Sequence, residues 1–291
     1  MMDKRRYWFP LICCMMLVTV LISGCGNQQA SPKKAQSFSI EDLQKYASQL
    51  ITLEAVFEKH QVKPQSTYGT DKGVFLEVRR VGEHDKTLSD AEKSKFKQAI
   101  FKAVGAEFPL NITVYAIDEQ SGTKGKITAI DGKGRFLVVK TDKFINQEKK
   151  MPDATWYAMS DDAVIMYEGK KFNVTDMQIG SSVTVWSEGM MLTSYPGQTT
   201  GLRLQINTLD DGLGDLSGKV TSVTTSGEGV NLERMLDVDG VKYRMFPFTQ
   251  VWKDGVLIEA ATMKEGDHVK LWFAGYEIGP EKMVTKVVIT N

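Results

Sequence analysis

A segment that occurs twice in one chain has to fold twice, and this chain carries such a segment. Gly125-Lys126-Ile127-Thr128-Ala129-Ile130 returns as Gly218-Lys219-Val220-Thr221-Ser222-Val223. Further on, Gly169, Met177, Gly180, Trp186 and Gly189 return as Gly255, Met263, Gly266, Trp272 and Gly275, each 86 residues later. Five identities at one offset mark an internal duplication. The copies differ in their first halves: Gly125 to Gly180 spans 55 residues and Gly218 to Gly266 spans 48. The first copy therefore carries seven extra residues, which fall in the polar stretch from Lys143 to Asp153.

Within each copy, short β-rich runs alternate with Gly, Asp and Ser turns, the signature of small barrels or sandwiches. The first copy predicts strands at 124–131, 135–141, 155–160, 181–188 and 200–207. The second predicts them at 217–224, 232–238, 241–246, 267–274 and 283–290. Between the third and fourth strands lies a short apolar segment, Val164-Ile165-Met166 or Val251-Trp252, followed by a Gly turn. Five strands with that spacing fit a Greek-key barrel of the OB type, with a generic antiparallel sandwich as the alternative. The two barrels take residues 121–208 and 216–291, separated by the acidic, Gly-rich run from Leu209 to Asp215.

Residues 39–120 have a different texture. Ser39 with Asp42, and Ser89 with Glu92, are capping boxes. The first opens a helix with an apolar stripe of Leu43, Tyr46, Ala47, Leu50 and Leu53, continuing to Phe57; the second opens one carrying Phe96, Ala99, Ile100 and Ala103. Gly105 sits where a helix C-cap is expected. Val74, Leu76 and Val78 alternate as a strand, and Ile112, Val114 and Ala116 as another. The predicted order is α-β-α-β, an α+β domain with helices on one side of a short sheet.

The N-terminus is of another kind again. Lys4, Arg5 and Arg6 precede an apolar run from Tyr7 to Ile22 that contains Pro10, and then Ser23-Gly24-Cys25. A cationic start, an apolar run and a small-residue site make a secretory signal; the run is shorter than the roughly 20 residues of a stable membrane span. An uncleaved anchor is the alternative. Leu21-Ile22-Ser23-Gly24-Cys25 resembles the lipobox of a bacterial lipoprotein. The resemblance implies cleavage after residue 24, with the Cys25 thiol carrying a diacylglyceryl group, hence a membrane-lipid partner and an extracytoplasmic location. Residues 25–38 then read as a flexible tether.

Composition narrows the function classes. Cys13 and Cys14 leave with the signal, so the mature chain would hold Cys25 alone, with no internal disulfide or thiolate metal site. Basic and acidic residues balance at 36 each, which argues against nucleic acid as a partner. No H-E-x-x-H, P-loop or G-x-S-x-G pattern occurs, and no cofactor motif is present. His60, His84 and His268 read as ordinary surface or strand residues, Asp161-Asp162 as a solvated turn, and Asp210, Asp211 and Asp215 as a solvated linker rather than a calcium loop.

One stretch of the first copy is similar to an uncharacterised family, the YobA-like lipoproteins of Gram-positive spore-forming bacteria. It opens with Gly125-Lys126-Ile127 and closes with Trp186-Ser187-Glu188-Gly189 and then Ser194-Tyr195-Pro196-Gly197-Gln198. The second copy has Tyr276-Glu277-Ile278-Gly279-Pro280 instead, so a site built on that element would occur once. The resemblance implies a fold and a location, and no activity. Ser194, Tyr195 and Gln198 form a candidate binding loop, weighed against a packed structural corner. Trp156, Tyr157, Tyr243 and Trp252 are candidate aromatic ligand contacts, weighed against barrel core. The expected function is a non-catalytic binding or adaptor module at the cell envelope, gripping a protein, a peptide or a cell-wall glycan. The alternative is a hydrolase or transferase acting on wall polymer.

Overall fold

The structure, a computed structural model, describes residues 37–146, 148, 151–227, 233–277 and 279–290. The signal, Cys25 and nearly all of the tether lie outside the described residues. Among the described residues no helix is long and apolar enough to cross a membrane.

The first folded region is a three-stranded sheet covered by helices. Its elements run α1 (Ile40–Leu50), α2 (Glu54–Lys59), β1 (Val62–Thr70), β2 (Gly73–Arg80), α3 (Asp90–Val104) and β3 (Leu110–Tyr115). Both capping boxes form, and Gly105 closes α3 in the left-handed region that favours glycine. The order is α-α-β-β-α-β, with two more elements than the periodicity predicts. The stripe from Leu43 to Phe57 breaks at Ile51 into two helices. Strand β1, with Pro64 and Gly69 in it, lacks the alternation that betrays β2. Gly69 is where α1 crosses: a Cβ there would lie 2.6 Å from the Leu43 backbone. Leu43, Leu50, Phe96 and Ile100 bury against Val74, Leu76 and Val78, each large side chain contributing about 1.5–3 kcal/mol.

Two closed five-stranded β-barrels follow in tandem. The first comprises β4 (Thr123–Ile130), β5 (Phe136–Asn146), β6 (Met151–Tyr167), β8 (Ser182–Leu192) and β9 (Gly197–Thr208), with β7 (Lys170–Lys171) as a short appendage. Its strands close as β4-β5-β6-β9-β8 and back to β4, with β6 and β9 parallel and every other pair antiparallel. The second repeats that path with β10 (Leu216–Ser226), β11 (Glu233–Val238), β12 (Val241–Lys253), β14 (His268–Glu277) and β15 (Lys282–Ile289), and β13 (Val256–Ile258) as its appendage. The path is that of the OB barrel.

The duplicated residues hold duplicated roles. Gly180 and Gly266, at φ +107° and +94°, each donate an N–H to the strand that opens their barrel, at Ile127 and Val220, both at 2.8 Å. Glu168-Gly169 and Asp254-Gly255 take positive φ at both positions, as a two-residue hairpin turn requires. Val164-Ile165-Met166 and Val251-Trp252 are not separate segments. They are the second halves of β6 and β12, resumed after a bulge. The seven extra residues of the first copy lengthen the β5–β6 hairpin; β11 and β12 meet instead across Asp239-Gly240.

Candidate functional site

A groove of 610 Å³ opens on the first barrel beside the β8–β9 connection. Its floor is Trp156 and Ala158 of β6 with Thr199 and Thr200 of β9, and Arg135 and Gln198 stand at one end. Its lip is the end of β8, Met190-Met191-Leu192, exposed at 58%, 53% and 67%. Glu188 is the single carboxylate on its wall.

Arg135 is fixed in place. Its N–H and its Nε donate to Asp131 at 2.9 and 2.8 Å, and its guanidinium lies 5.7 Å from the Trp156 ring centroid. Burial alone would raise the Asp131 pKa; the Arg135 hydrogen bonds overcome it and hold the carboxyl below the usual range. Arg135 also donates to Gln198 Oε1 at 3.1 Å. Gln198 Nε2 donates to Ser194 Oγ at 3.3 Å, and Ser194 Oγ donates to the Pro196 carbonyl at 2.8 Å. Tyr195 donates to the Pro152 carbonyl at 3.1 Å, and the Tyr195–Pro196 peptide is cis. The Ser-Tyr-Pro-x-Gln element is therefore a brace tying the β4–β5 turn, β6 and β9, and of its polar residues only Gln198 lines the groove.

The four candidate aromatics separate. Tyr157, 1% exposed, stacks on Phe136 in the first barrel core, and Tyr243, 7% exposed, stacks on Phe273 in the second. Alternation placed them on strands but not on the inward face. Trp156 lies outside its barrel, edge to face with Phe248 of the second barrel at 5.9 Å, in a cluster with Leu137, Val139, Ala274 and Met283. Trp252 is half-buried, and its Nε1 donates to Gln250 at 3.2 Å.

Two joints carry polar residues that sequence reasoning assigned to solvent. Asp162 protrudes from the β6 bulge and takes Arg79 in a forked pair, Nη1 to Oδ2 at 2.6 Å and Nη2 to Oδ1 at 2.9 Å. Lys63 pairs with Asp161, and Ser160 Oγ accepts from Arg79 at 3.0 Å. Burial alone would raise the Asp162 pKa; the Arg79 and Ser160 hydrogen bonds reverse that and hold it well below the carboxylate range. His84 is buried at 3% exposure, its ring nitrogens within 3.2 Å of the Arg80 carbonyl and 3.1 Å of the Asp162 carbonyl. Asp161-Asp162 is thus a tertiary clamp and His84 an interior residue.

The second correction is Asp210. Its carboxylate accepts from Trp272 Nε1 at 3.1 Å and pairs with Lys286 at 2.9 Å, while Lys286 sits 4.1 Å from the Trp272 ring centroid. The equivalent Trp186 donates to the Asp118 carbonyl at 3.1 Å, with Arg203 over its ring at 4.6 Å and paired to Glu119. Each barrel thereby holds the segment that leads into it with one Trp, one cation and one carboxylate. The duplicated Trp was the signal for this, but the charged partners fall at unmatched offsets in the sequence.

The barrel path defines a tandem OB-like protein, and the groove is a candidate site on its first barrel. Residues 124–206 match a family model described as a protein of unknown function, DUF3221. That segment is the first barrel, including the brace and the groove. No curated protein matches the chain. Among the described residues no group of three or more His, Cys, Asp or Glu is placed to hold a metal ion.

Proposed function

We propose that this protein is a lipid-anchored, extracytoplasmic, non-catalytic binding module, and that the first-barrel groove receives a peptide or protein segment. The resemblance of Leu21–Cys25 to a lipobox, and of the first copy to the YobA-like lipoproteins, supports the anchor and the location. The groove's lip carries the ligand reading: three consecutive exposed apolar residues, Met190-Met191-Leu192, on a braced rim. Methionine is polarisable and adapts to varied apolar partners. A glycan would find only part of the Trp156 ring to stack on, since Phe248 packs against it edge to face and the Arg135 guanidinium lies near its centroid.

Replacing Cys25 with Ser should move the protein from the membrane fraction to the medium; unchanged membrane attachment would sink the anchor. For the groove, a photo-crosslinker at Met191 should give a discrete adduct with an envelope protein in intact cells. A crosslinker at Lys242 on the second barrel should not, and serines at 190–192 should abolish the adduct formed from a neighbouring Thr200 probe. Equal labelling at Met191 and Lys242 would overturn the groove as a binding site.

A further inference from the structure

A second concavity, of 700 Å³, lies between the two barrels and shares no lining residue with the groove. Its size falls within the roughly 300–1,000 Å³ of small-molecule sites. One wall is the outer face of the second barrel, where the parallel register of β12 and β15 sets Gln250 beside Lys286 and Trp252 beside Val288. The facing wall is the segment of the first barrel between β7 and β8, with Thr175, Asp176 and Gln178.

The duplication shows that neither set of residues is a requirement of the fold. At the offset of 86 residues, Gln250 and Trp252 stand where the first copy has Val164 and Met166, and both pairs follow the same bulge. Thr175, Asp176 and Gln178 stand where the second copy has Ala261, Thr262 and Lys264. Each barrel closes with the other copy's residues at these places.

Trp252 also differs from its fellow tryptophans. Trp156 has Phe248 and Arg135 against its ring, Trp186 has Arg203 and Trp272 has Lys286. Among the described residues no ring or cation lies on Trp252. Its Nε1 donates to Gln250 Oε1 at 3.2 Å, which holds the indole and leaves the Gln250 Nε2 as a donor. Leu257, directly across the β12–β13 pair, is 56% exposed, so the indole does not serve to cover it.

The charges of the cleft are accounted for. Lys286 and Asp210 neutralise each other at 2.9 Å, so no free cation lines the cleft to hold an anion. Asp176 accepts from Asn173 Nδ2 at 3.2 Å and from Thr175 Oγ at 3.4 Å, and it is exposed, where a carboxylate is worth little to a cation. An indole beside amides and a hydroxyl suits a ligand with an apolar face and neutral polar groups at its edge.

We propose that this inter-barrel cleft binds a neutral oligosaccharide. One sugar ring lays its C–H face on Trp252 with a hydroxyl on Gln250, and the next unit reaches Gln178 on the facing wall. The site is independent of the groove and its ligand.

The probes are maltotriose and tri-N-acetylchitotriose, both neutral, titrated calorimetrically into the full chain; trigalacturonate and the deacetylated, cationic chitosan trimer are the charged controls. At least one neutral probe should bind at one site per chain, more tightly than either control. Trp252→Ala should weaken it by about tenfold or more, and Trp252→Phe should recover part of the loss. Gln250→Ala should weaken it several-fold. If Trp252→Ala lowers the melting temperature of the free protein, Trp252→Met, which installs the residue of the first copy, carries the test. Serines at 190–192 should leave sugar binding unchanged, which separates this site from the groove. Failure of both neutral probes to bind, tighter binding of a charged control, or full affinity in the Trp252 variants would overturn the proposal.

Discussion

The third strand of each barrel is interrupted at the same place, by Ser160-Asp161-Asp162-Ala163 in the first and by Phe246-Pro247-Phe248-Thr249 in the second. In both, the bulge plugs into the unit that precedes its barrel. The first plug is ionic, with Asp162 gripping the buried Arg79 of the helix-covered sheet. The second is aromatic, with Phe248 against Trp156 of the first barrel. The bulge glycines follow the same rule: a Cβ on Gly189 would meet Tyr115 at 3.1 Å, and one on Gly275 would meet Val139 at 3.3 Å. A duplicated barrel thus kept its docking surface and changed the chemistry on it to suit the neighbour it meets.

The receiving faces show the converse. Ala129, Leu137, Val139 and Trp156 form the apolar outer face on which the second barrel sits. Strand registers place Ser222, Asp237, Asp239 and Lys242 at the matching positions of the second barrel. Asp239 and Lys242 are exposed. One fold therefore presents an apolar face where a barrel packs on it and a polar one where water does.

The sharpest way to break the comparison is Asp162→Ala. It leaves Arg79, 3% exposed, buried without a counter-charge, and should cost about 3–5 kcal/mol in urea denaturation; a loss near that of an exposed ion pair would show the clamp to be decorative. The same joint should respond to acid. Because the Asp162 pKa is depressed in the folded state, its contribution is fully present above the unfolded value of about 4 and is lost as pH falls below it. Measured against the intrinsic exchange rate at each pH, the protection of amides in β2 and the β6 bulge should fall between neutral pH and about pH 3 by more than that of the β12 bulge; an equal fall at both would remove the distinction between the joints.

Phe248→Ala should cost less, about 2 kcal/mol, since the ring is only half-buried, and that loss should persist at low pH. Gly275→Ala should cost about 1 kcal/mol, because φ is +75° and the added methyl presses on Val139. The pair Asp237→Leu with Lys242→Trp should cost no more than about 1 kcal/mol, because Lys242 is exposed and half-buried Asp237 gives up one hydrogen bond, accepted from the Gly240 N–H at 3.0 Å. That variant brings the second barrel closer to the receiving face of the first, so sedimentation should show it associating further than the parent at the same concentration. A variant that sediments as the parent does would mean that an apolar outer face alone does not recruit a barrel.

The duplication at 86 residues, the glycine turns and the capping boxes were legible because each is a local demand on the backbone: a positive φ, an orphan N–H at a helix start, a period of two. They determined two OB-like barrels after a small α+β region. Inward and outward aromatics were not legible, since Trp156 and Tyr157 are neighbours in sequence and face opposite sides of one strand, and only closure of the barrel says which side is core. Nor were the joints. Arg79 and Asp162 are 83 positions apart, and nothing near either residue announces the other. An exposed-looking Asp-Asp turn became a clamp, and an acidic linker became a partner for Trp272, because tertiary packing removed their water and supplied cations in its place. Local chemistry in the chain determined the elements and their repetition; the packing of one unit on another decided which surfaces remain free, leaving the Met190-Met191-Leu192 rim open.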